Sequence, residues 1–591
     1  MTAVEHSRRR VREVNILPSA VELTPGEDGV MYVRSPHALP PWANKITERL
    51  EHWAVNTPDR TFLARRDAAG TWEEITYAQT LTRVRLVAQG LLDRELSAER
   101  PIAILSGNSI DHSLLALAAV YTGILYAPVS PSYSLAATEF TTLRYLWQTL
   151  RPGLVLAEGE AYQRALRSMD TAGTEIVSCC AEIAAGYVSA AVDQAHAAVG
   201  PDTIAKVLFT SGSTGHPKGV INTQRMWCSN LEMIRSVLRF LGDEPPVLCD
   251  WLPWNHTFGG NHNFGIALYN GGTLYIDDGK PTPRAFAATI ANLREIATTA
   301  YFNVPKGYEM LVPALREDTE LRRTFFSRLR IVFYAAAGLK QQVWDDLQEI
   351  AYETCGEEIL MVTGLGATET APSVLFTGRE GASAGRIGLP IPGVELKLAP
   401  AGPKTEVRVK GPNVTPGFWR NDELTRSAFD DEGFYRMGDA VTFVDPNDPL
   451  KGFAFDGRIT EDFKLSSGTW VSVGPLRAKL LTVFGDYAQD AAIAGPDRDY
   501  VAALVFPRVR CGRDRLQHLL DELAGKSTGS STRVVRFLML EEPPSLDARE
   551  ITDKGTINQK EVLRNRAALV EELYAPVPSD LIIETIVGMN A

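Results

Sequence analysis

The sequence predicts an α/β protein with a large N-terminal domain of parallel α/β sheets, a small β subdomain attached to it, and a small C-terminal α/β domain. Three observations predict this. The chain has 591 residues, more than a single hydrophobic core organises, so at least two domains are expected. From Ile102 to Gly364 short, near-continuous apolar runs alternate with helical spacings, the pattern of a parallel sheet covered on both faces. After Val394 the texture changes to short strands between Pro/Gly turns, which predicts a smaller and more antiparallel arrangement.

In chain order, residues 1 to 40 carry Pro18, Pro25, Pro36 and Pro40 and read as an extended lead-in. A helix is expected from Trp42 through Ile46, Leu50 and Trp53, ending at Thr57-Pro58. Leu81 to Leu92 is apolar at helical spacing, Ile102 to Leu105 reads as a strand, and Asp111 to Tyr121 as a helix. Ile124 to Val129 and Leu154 to Ala157 are further strands, and the Ala-rich stretch from Cys179 to Val199 is helix and surface connection. Ala205 to Phe209 is a buried strand, Ile221 to Phe240 a helix, Val247 to Leu252 a strand, Phe264 to Asn270 a helix and Thr273 to Ile276 a strand. Ile331 to Ala337 and Ile359 to Gly364 end in small residues, which is how an open α/β sheet presents its carboxyl edge to a ligand. Glu395 to Leu398, Glu406 to Lys410 and Ala440 to Val444 are the short strands of the β subdomain, and Asp456-Gly457-Arg458 is a turn leaving it.

Composition narrows the function. Apolar content of 45% and charged content of 22% are those of an ordinary globular protein, and a net charge of −12 argues against a nucleic-acid partner. Cys179, Cys180, Cys228, Cys249, Cys355 and Cys511 show no Cys-x-x-Cys or Cys/His ligand spacing, as expected of a reduced cytoplasmic protein. The basic Arg8 to Arg12 opens no secretory signal, because Asn15 to Glu22 is too short and polar for an apolar h-region. Leu114 to Val129, the longest apolar stretch, is broken by Thr122, Gly123 and Pro128 and falls short of a bilayer, so no membrane partner is expected.

The most informative stretch is Thr210-Ser211-Gly212-Ser213-Thr214-Gly215-His216-Pro217-Lys218-Gly219, delivered by the strand Ala205 to Phe209. Its glycines allow close backbone approach, its four hydroxyls add donors and Lys218 adds charge, which together suit a polyphosphate. A polar Gly/Ser turn is the plainer alternative. It is not a Walker loop, since His216-Pro217 stands where a Gly-Lys pair should follow. It resembles the signature loop of the adenylate-forming superfamily: acyl-CoA synthetases, peptide-synthetase adenylation domains and luciferases.

That resemblance extends along the chain and implies roles for particular residues. Gly364-Leu365-Gly366-Ala367-Thr368-Glu369 resembles the family's Tyr-Gly-x-Thr-Glu motif, implying Thr368 at the α-phosphate and Glu369, with Thr210, on Mg2+, a hard ion suited to oxygen ligands. Leu365 stands where the family often places an aromatic residue against adenine. Tyr334-Ala335-Ala336-Ala337-Gly338-Leu339 resembles the small-residue strand end walling the adenine and acyl pocket, with close backbone packing as the alternative. Gly433 to Asp439 resembles the segment whose Asp binds ribose hydroxyls, although Met437 replaces a usual threonine, and Phe455 to Arg458 the segment whose Arg reaches ribose or phosphate. The family places a histidine beside the acid's carboxylate at His256, which implies a positioner and gate; a satisfied structural histidine is the alternative. Phe258 and Phe264 would flank the acid, over a floor made by Ala336, Gly338, Gly364 and Gly366.

Gly457 to Lys464 resembles the hinge between the large domain, residues 1–457, and a mobile C-terminal domain, residues 458–591. The hinge acid falls on Glu461, with Asp462 adjacent. Lys464, Gly468 and Trp470 are the implied CoA-tunnel residues, on a stretch one residue longer than the usual lysine-to-glycine spacing. Glu550 to Lys560 resembles the loop carrying the adenylation lysine; Lys554 fits its Lys-Gly-Thr variant and Lys560 stands behind it. Gly381-Ala-Ser-Ala-Gly385 satisfies a serine-hydrolase pattern, but polar Thr377 to Glu380 precedes it and a loop is expected.

The resemblance implies an ATP-dependent acid–CoA ligase using Mg2+ and coenzyme A, a monomer or homodimer. Arg458 to Val473 and Ile551 to Gln559 are similar to feruloyl-CoA synthases, which act on hydroxycinnamic acids such as ferulate, 4-coumarate and caffeate. A medium-chain fatty or aryl acid CoA ligase and a nucleotide-binding homologue without catalysis remain alternatives. Because the chain ends at Ala591, the carrier and reductase domains of a carboxylic acid reductase are expected to be absent.

Overall fold

A computed structural model describes residues 9–210, 216–379, 382–552 and 555–586. Ser211, Gly212, Ser213, Thr214, Gly215 and Lys554 lie outside the described residues, as do Glu380 and Gly381. The expected class holds: a mixed α/β fold with a large N-terminal domain and a smaller C-terminal one.

Among the described residues, three sheets build the large domain. In the first, Tyr126–Pro128, Ile102–Leu105, Leu154–Ala157 and Glu175–Val177 run parallel beside Ile204–Thr210, which pairs antiparallel with Lys218–Thr223. Ile102–Leu105 and Leu154–Ala157 are buried along their whole length, as strands covered on both faces must be. Helix Tyr77–Asp93 begins at a capping box between Thr76 and Gln79 and packs against Ile110–Thr122, which Ser109 caps. The second sheet orders Val247–Asp250, Thr273–Ile276, Thr61–Arg66 and Trp72–Thr76.

The third sheet is continuous across the expected boundary between the parallel sheets and the β subdomain. Ala300–Asn303, Ile331–Tyr334 and Leu360–Gly366 are parallel. The ladder then turns antiparallel through Ser373–Phe376, Arg386–Pro390, Phe453–Arg458, Tyr435–Phe443, Lys404–Lys410 and Glu395–Ala401.

The extended lead-in finds partners: Met31–Arg34 pairs with Glu395–Leu398 and extends the third sheet through Glu22–Pro25. Two expectations are corrected. The helix expected from Ile221 starts later, at Gln224, because Lys218–Thr223 first forms the return strand of a hairpin and Thr223 caps the helix Gln224–Val237. Asp456-Gly457-Arg458 is the end of a strand, with Arg458 opposite Asp439.

The C-terminal domain has its own core, in which Leu480, Phe484, Val505, Leu520 and Phe537 are buried. Helices Val473–Phe484 and Arg513–Gly525 back a sheet of Ala488–Ala494, Val501–Pro507, Val534–Met539 and Ile582–Glu584. It touches the large domain where Asp547 Oδ2 accepts from Thr138 N and Oγ1 at 2.9 and 3.0 Å. Among the described residues no helix is long and apolar enough to cross a membrane.

Candidate active site

The hairpin of Ile204–Thr210 and Lys218–Thr223 sets the first wall. Thr210 and Lys218 are register partners, so the hydroxyl-rich stretch connects them across the hairpin end. Thr210 Oγ1 is buried without a hydrogen-bond partner among the described residues, a polar group whose burial is costly until an acceptor or cation meets it. Lys218 Nζ lies 3.1 Å from Glu369 Oε1 and 4.7 Å from the centre of the Phe418 ring, which attracts cations through its face.

Glu369 is delivered by the strand Leu360–Gly366 and a tight turn, Thr368–Thr370. Asn413 Nδ2 donates to Thr370 O at 2.8 Å and Ser373 O at 3.0 Å, and Thr415 N donates to Glu369 O at 2.8 Å. Thr368 and Glu369 are buried in this frame. The Tyr435 hydroxyl donates to Glu369; burial, and next the Glu369 charge, push Tyr435 well above the ordinary phenol range, so it stays a neutral donor. Gly364 and Gly366 serve packing: a Cβ would come 2.2 Å from Leu375 O at the first and 1.9 Å from Pro372 O at the second. Only glycine lets the two strands approach, and Leu365 between them is half-buried.

Asp439 and Arg458 face each other across two strands, Arg458 Nε 3.4 Å from Asp439 Oδ1. Burial pushes the Asp439 carboxyl up to about 6; Arg458 pulls it down, while Glu369 and Glu461 push it further up. Asp439, Glu369 and Lys218 thus form one electrostatic group, with the 57% exposed Arg458 at its edge.

On the other side, the strand Ile331–Tyr334 ends in exposed Ala336, Ala337 and Gly338; Ala336 sits at φ +74° and no atom lies within 4 Å of where a Gly338 Cβ would stand. This wall is open. His256, half-buried, donates its backbone N–H to Pro253 O at 3.1 Å and has Asn255 Nδ2 3.4 Å from its Nε2. A π turn, Phe258–Asn263, follows and runs into the helix Phe264–Tyr269; such turns recur at functional sites. Phe258 is half-buried. Phe264 is not on this wall: its ring packs against Phe62, Trp227 and Trp254, deep in the core. The ring beside Phe258 is instead the buried His262, which the sequence reading did not single out. The His262 ring lies 5.4 Å from Phe258 and stacks at 5.4 Å on Phe333. The signal available was His262 four residues after Phe258, flanked by Asn261 and Asn263.

The two hinge candidates separate. Asp462, 6% exposed, has Oδ2 2.6 Å from Lys404 Nζ, itself 7% exposed, and Oδ1 accepts from Val473 N at 2.9 Å. It is clamped. Glu461 donates its backbone N–H to Arg458 O at 3.2 Å and keeps its side chain near Asp439. Phe463–Lys464 pairs with Trp470–Val471, Gly468 making the turn at φ +81°; Lys464 Nζ stands 5.0 Å over the Trp470 ring. Around Lys554, Ile551 pairs with Ile557, and Thr552 Oγ1 lies 2.7 Å from Thr556 Oγ1; Lys560 is exposed on the helix Gln559–Asn565. His216 stacks on Tyr145 at 4.3 Å, and burial, then Arg549, lower its pKa, with Glu561 and Arg564 also acting on it. Arg549, Glu561 and Arg564 of the C-terminal domain therefore lie near His216, at the end of the Ile204–Thr223 hairpin.

Residues 50–419 match the family model described as AMP-binding enzyme. The chain is 25% identical over 571 residues to the carboxylic acid reductase of Mycobacterium marinum, covering 85% of this chain and 46% of that protein. It is 29% identical over 274 residues to the anthranilate–CoA ligase of Pseudomonas aeruginosa, covering 44% and 48%. It thus spans about half the length of these curated relatives. The fold is that of ATP-bound MatB from Rhodopseudomonas palustris, with a TM-score of 0.66 at 23% identity over 89% of this chain and 99% of that one. Because the family model covers more than half of the chain and takes in the Thr210–Gly219 and Gly364–Glu369 motifs, this chain belongs to the AMP-binding enzyme family, the adenylate-forming superfamily.

Proposed function

We propose that the chain activates a hydroxycinnamic acid, such as ferulate, 4-coumarate or caffeate, as its adenylate and passes the acyl group to coenzyme A. The observation that supports acid activation is the convergence of Lys218, Glu369 and Asp439 near the open strand end Ala336–Gly338, and the choice of acid rests on the resemblance to feruloyl-CoA synthases. A carboxylate oxygen attacks the α-phosphorus of ATP and pyrophosphate leaves; the thiolate sulfur of CoA then attacks the acyl carbon and AMP leaves. The first step brings two anions together, so cations are needed where charge is densest.

Thr210, Ser211, Gly212, Ser213, Thr214, Gly215 and Lys218 hold the polyphosphate, and Thr368 the α-phosphate. The unpartnered Thr210 hydroxyl and the Glu369 carboxylate are oxygen donors that fit Mg2+; bound with ATP, the ion neutralises phosphate charge. Asp439 and Arg458 take the ribose, and Ala337, Gly338 and Leu365 the adenine. Lys554, or Lys560 behind it, bridges carboxylate and α-phosphate. His256 positions the carboxylate and gates the thiol path. Residues 458–591 swing on Glu461 against residues 1–457, bringing Lys464, Gly468 and Trp470 to the CoA side. A cytoplasmic enzyme fits these substrates.

Similarity to a carboxylic acid reductase over 85% of the chain favours a second reading of the acceptor alone: a carrier-protein thiol instead of CoA. Acid-dependent ATP–pyrophosphate exchange with ferulate, benzoate and octanoate, followed by thioester formation with CoA or a phosphopantetheinylated carrier, tests all of this. Ferulate is expected to lead in kcat/KM by roughly tenfold or more. Octanoate matching it overturns the substrate class, and ATP binding without exchange overturns the catalysis.

A further inference from the structure

The segment that begins at His256 contains a buried polar atom that neither the packing nor the proposed chemistry uses. His262 is 1% exposed, and its Nε2 has no hydrogen-bond partner among the described residues. Around it stand four rings, Phe258, Phe302, Phe333 and Phe376, at centroid distances of 5.4, 5.0, 5.4 and 6.5 Å. A trapped water would need two or more polar partners, and these rings offer none. A buried imidazole nitrogen left alone is costly.

The other nitrogen fixes what Nε2 can do. Nδ1 lies 2.8 Å from Asn263 Oδ1. Asn263 turns its NH2 group to the Asp250 carboxylate, short of well-formed hydrogen-bond geometry yet close enough to favour the charged form. With the amide oxygen facing the ring, Nδ1 must carry the proton, so Nε2 is an acceptor. Burial lowers the pKa of His262 to about 4, which keeps that tautomer neutral in ordinary buffers.

The location gives the ligand its shape. Phe302, Phe333 and Phe376 are buried while Phe258 is half-buried, so of the four rings Phe258 is the one nearest solvent. His256 begins this segment, at the carboxylate end of the acid in the proposed function; His262 lies at its far end, among rings. We propose that His262 Nε2 accepts a hydrogen bond from a phenolic hydroxyl on the end of the aryl acid remote from its carboxylate, so that this pocket selects 4-hydroxylated rings. The inference rests on the proposed acid activation and deepens it.

The test compares pyrophosphate-exchange kcat/KM for 4-hydroxycinnamate, 4-methoxycinnamate and cinnamate. In the unmodified protein 4-hydroxycinnamate leads both others by roughly tenfold or more, because the methoxy oxygen accepts but cannot donate. In His262→Phe the ratio of 4-hydroxycinnamate to cinnamate falls to near one, and His262→Gln, which retains an acceptor, recovers part of it. Equal use of cinnamate and 4-hydroxycinnamate by the unmodified protein overturns the inference alone, and 4-methoxycinnamate equal to 4-hydroxycinnamate overturns the acceptor assignment. Absence of exchange with every acid overturns the proposed function and this inference together. Should His262→Phe fail to fold, His262→Leu is read in its place, and an unchanged ratio of 4-hydroxycinnamate to cinnamate there overturns the inference.

Discussion

Asp439→Asn separates what the site costs in stability from what it contributes to binding. The wild-type carboxyl is buried and raised from an ordinary 3.8 to about 6. A raised acid pKa means the unfolded chain ionises first, so stability is lost as pH climbs from 3.8 to 6 and stays lost above it. The gap between 3.8 and about 6, at 1.36 kcal/mol per unit, makes the charged Asp439 a cost of about 3 kcal/mol above pH 6. The pair with Arg458 returns little, since that guanidinium is largely in solvent. The variant is expected to be more stable at pH 8 by about 1–3 kcal/mol, and the advantage is expected to vanish near pH 4. ATP affinity is expected to fall at the same time, roughly tenfold or more, if the proposed ribose contact holds, because a charged acceptor becomes an amide. Urea midpoints at pH 8, 6 and 4.5, with calorimetric ATP titration, check both. A variant less stable than wild type by the same amount at every pH would refute the reasoning.

Other perturbations probe separate parts of the account. Lys218→Met leaves Glu369 as a buried carboxylate without its cation and is expected to lower stability by about 2–3 kcal/mol; Lys218→Met combined with Glu369→Gln recovers part of that in the same thermal melt, and both abolish exchange. Lys554→Ala is expected to depress exchange while leaving thioester formation from a synthetic acyl adenylate nearly intact; normal exchange turns attention to Lys560. Glu461→Pro, which fixes φ and removes the N–H donated to Arg458 O, is expected to spare exchange and slow thioester formation, and equal loss of both would place the hinge elsewhere. Lys206 is fully buried with Nζ 3.5 Å over the Trp227 ring, and burial drives its pKa well below the ordinary lysine value. Its folded pKa is lowered, so wild-type stability is lost as pH falls from the ordinary range; Lys206→Met is expected to be the more stable protein at pH 7, with the gap narrowing by pH 10.

Strands such as Ile102–Leu105, Leu154–Ala157 and Thr273–Ile276 were legible because a parallel strand covered on both faces is a bounded apolar run. Lys218–Thr223 was not: as a half-polar antiparallel strand leading straight into a helix, it shares Val220 and Ile221 with any helical reading. Met31–Arg34 was missed because its partner, Glu395–Leu398, lies far along the chain, and local pattern carries no pairing information. Among the candidate site residues, Thr210, Lys218, Thr368, Glu369, Asp439 and Arg458 stood in motifs and are brought near one another. Tyr435 stood in the same quoted segment as Asp439, yet nothing in sequence marks it as the donor to Glu369. Phe264 was misplaced because the π turn Phe258–Asn263 that leads into its helix has no period from which its facing can be read.

The central claim is that the acid is activated as an acyl adenylate, and it makes one bond traceable. With ferulate carrying oxygen-18 in both carboxylate positions, plus ATP and CoA, attack on the α-phosphorus leaves one labelled oxygen in the released AMP. Mass spectrometry of that AMP is expected to show a single label per turnover. Label in pyrophosphate or inorganic phosphate with unlabelled AMP would contradict the account.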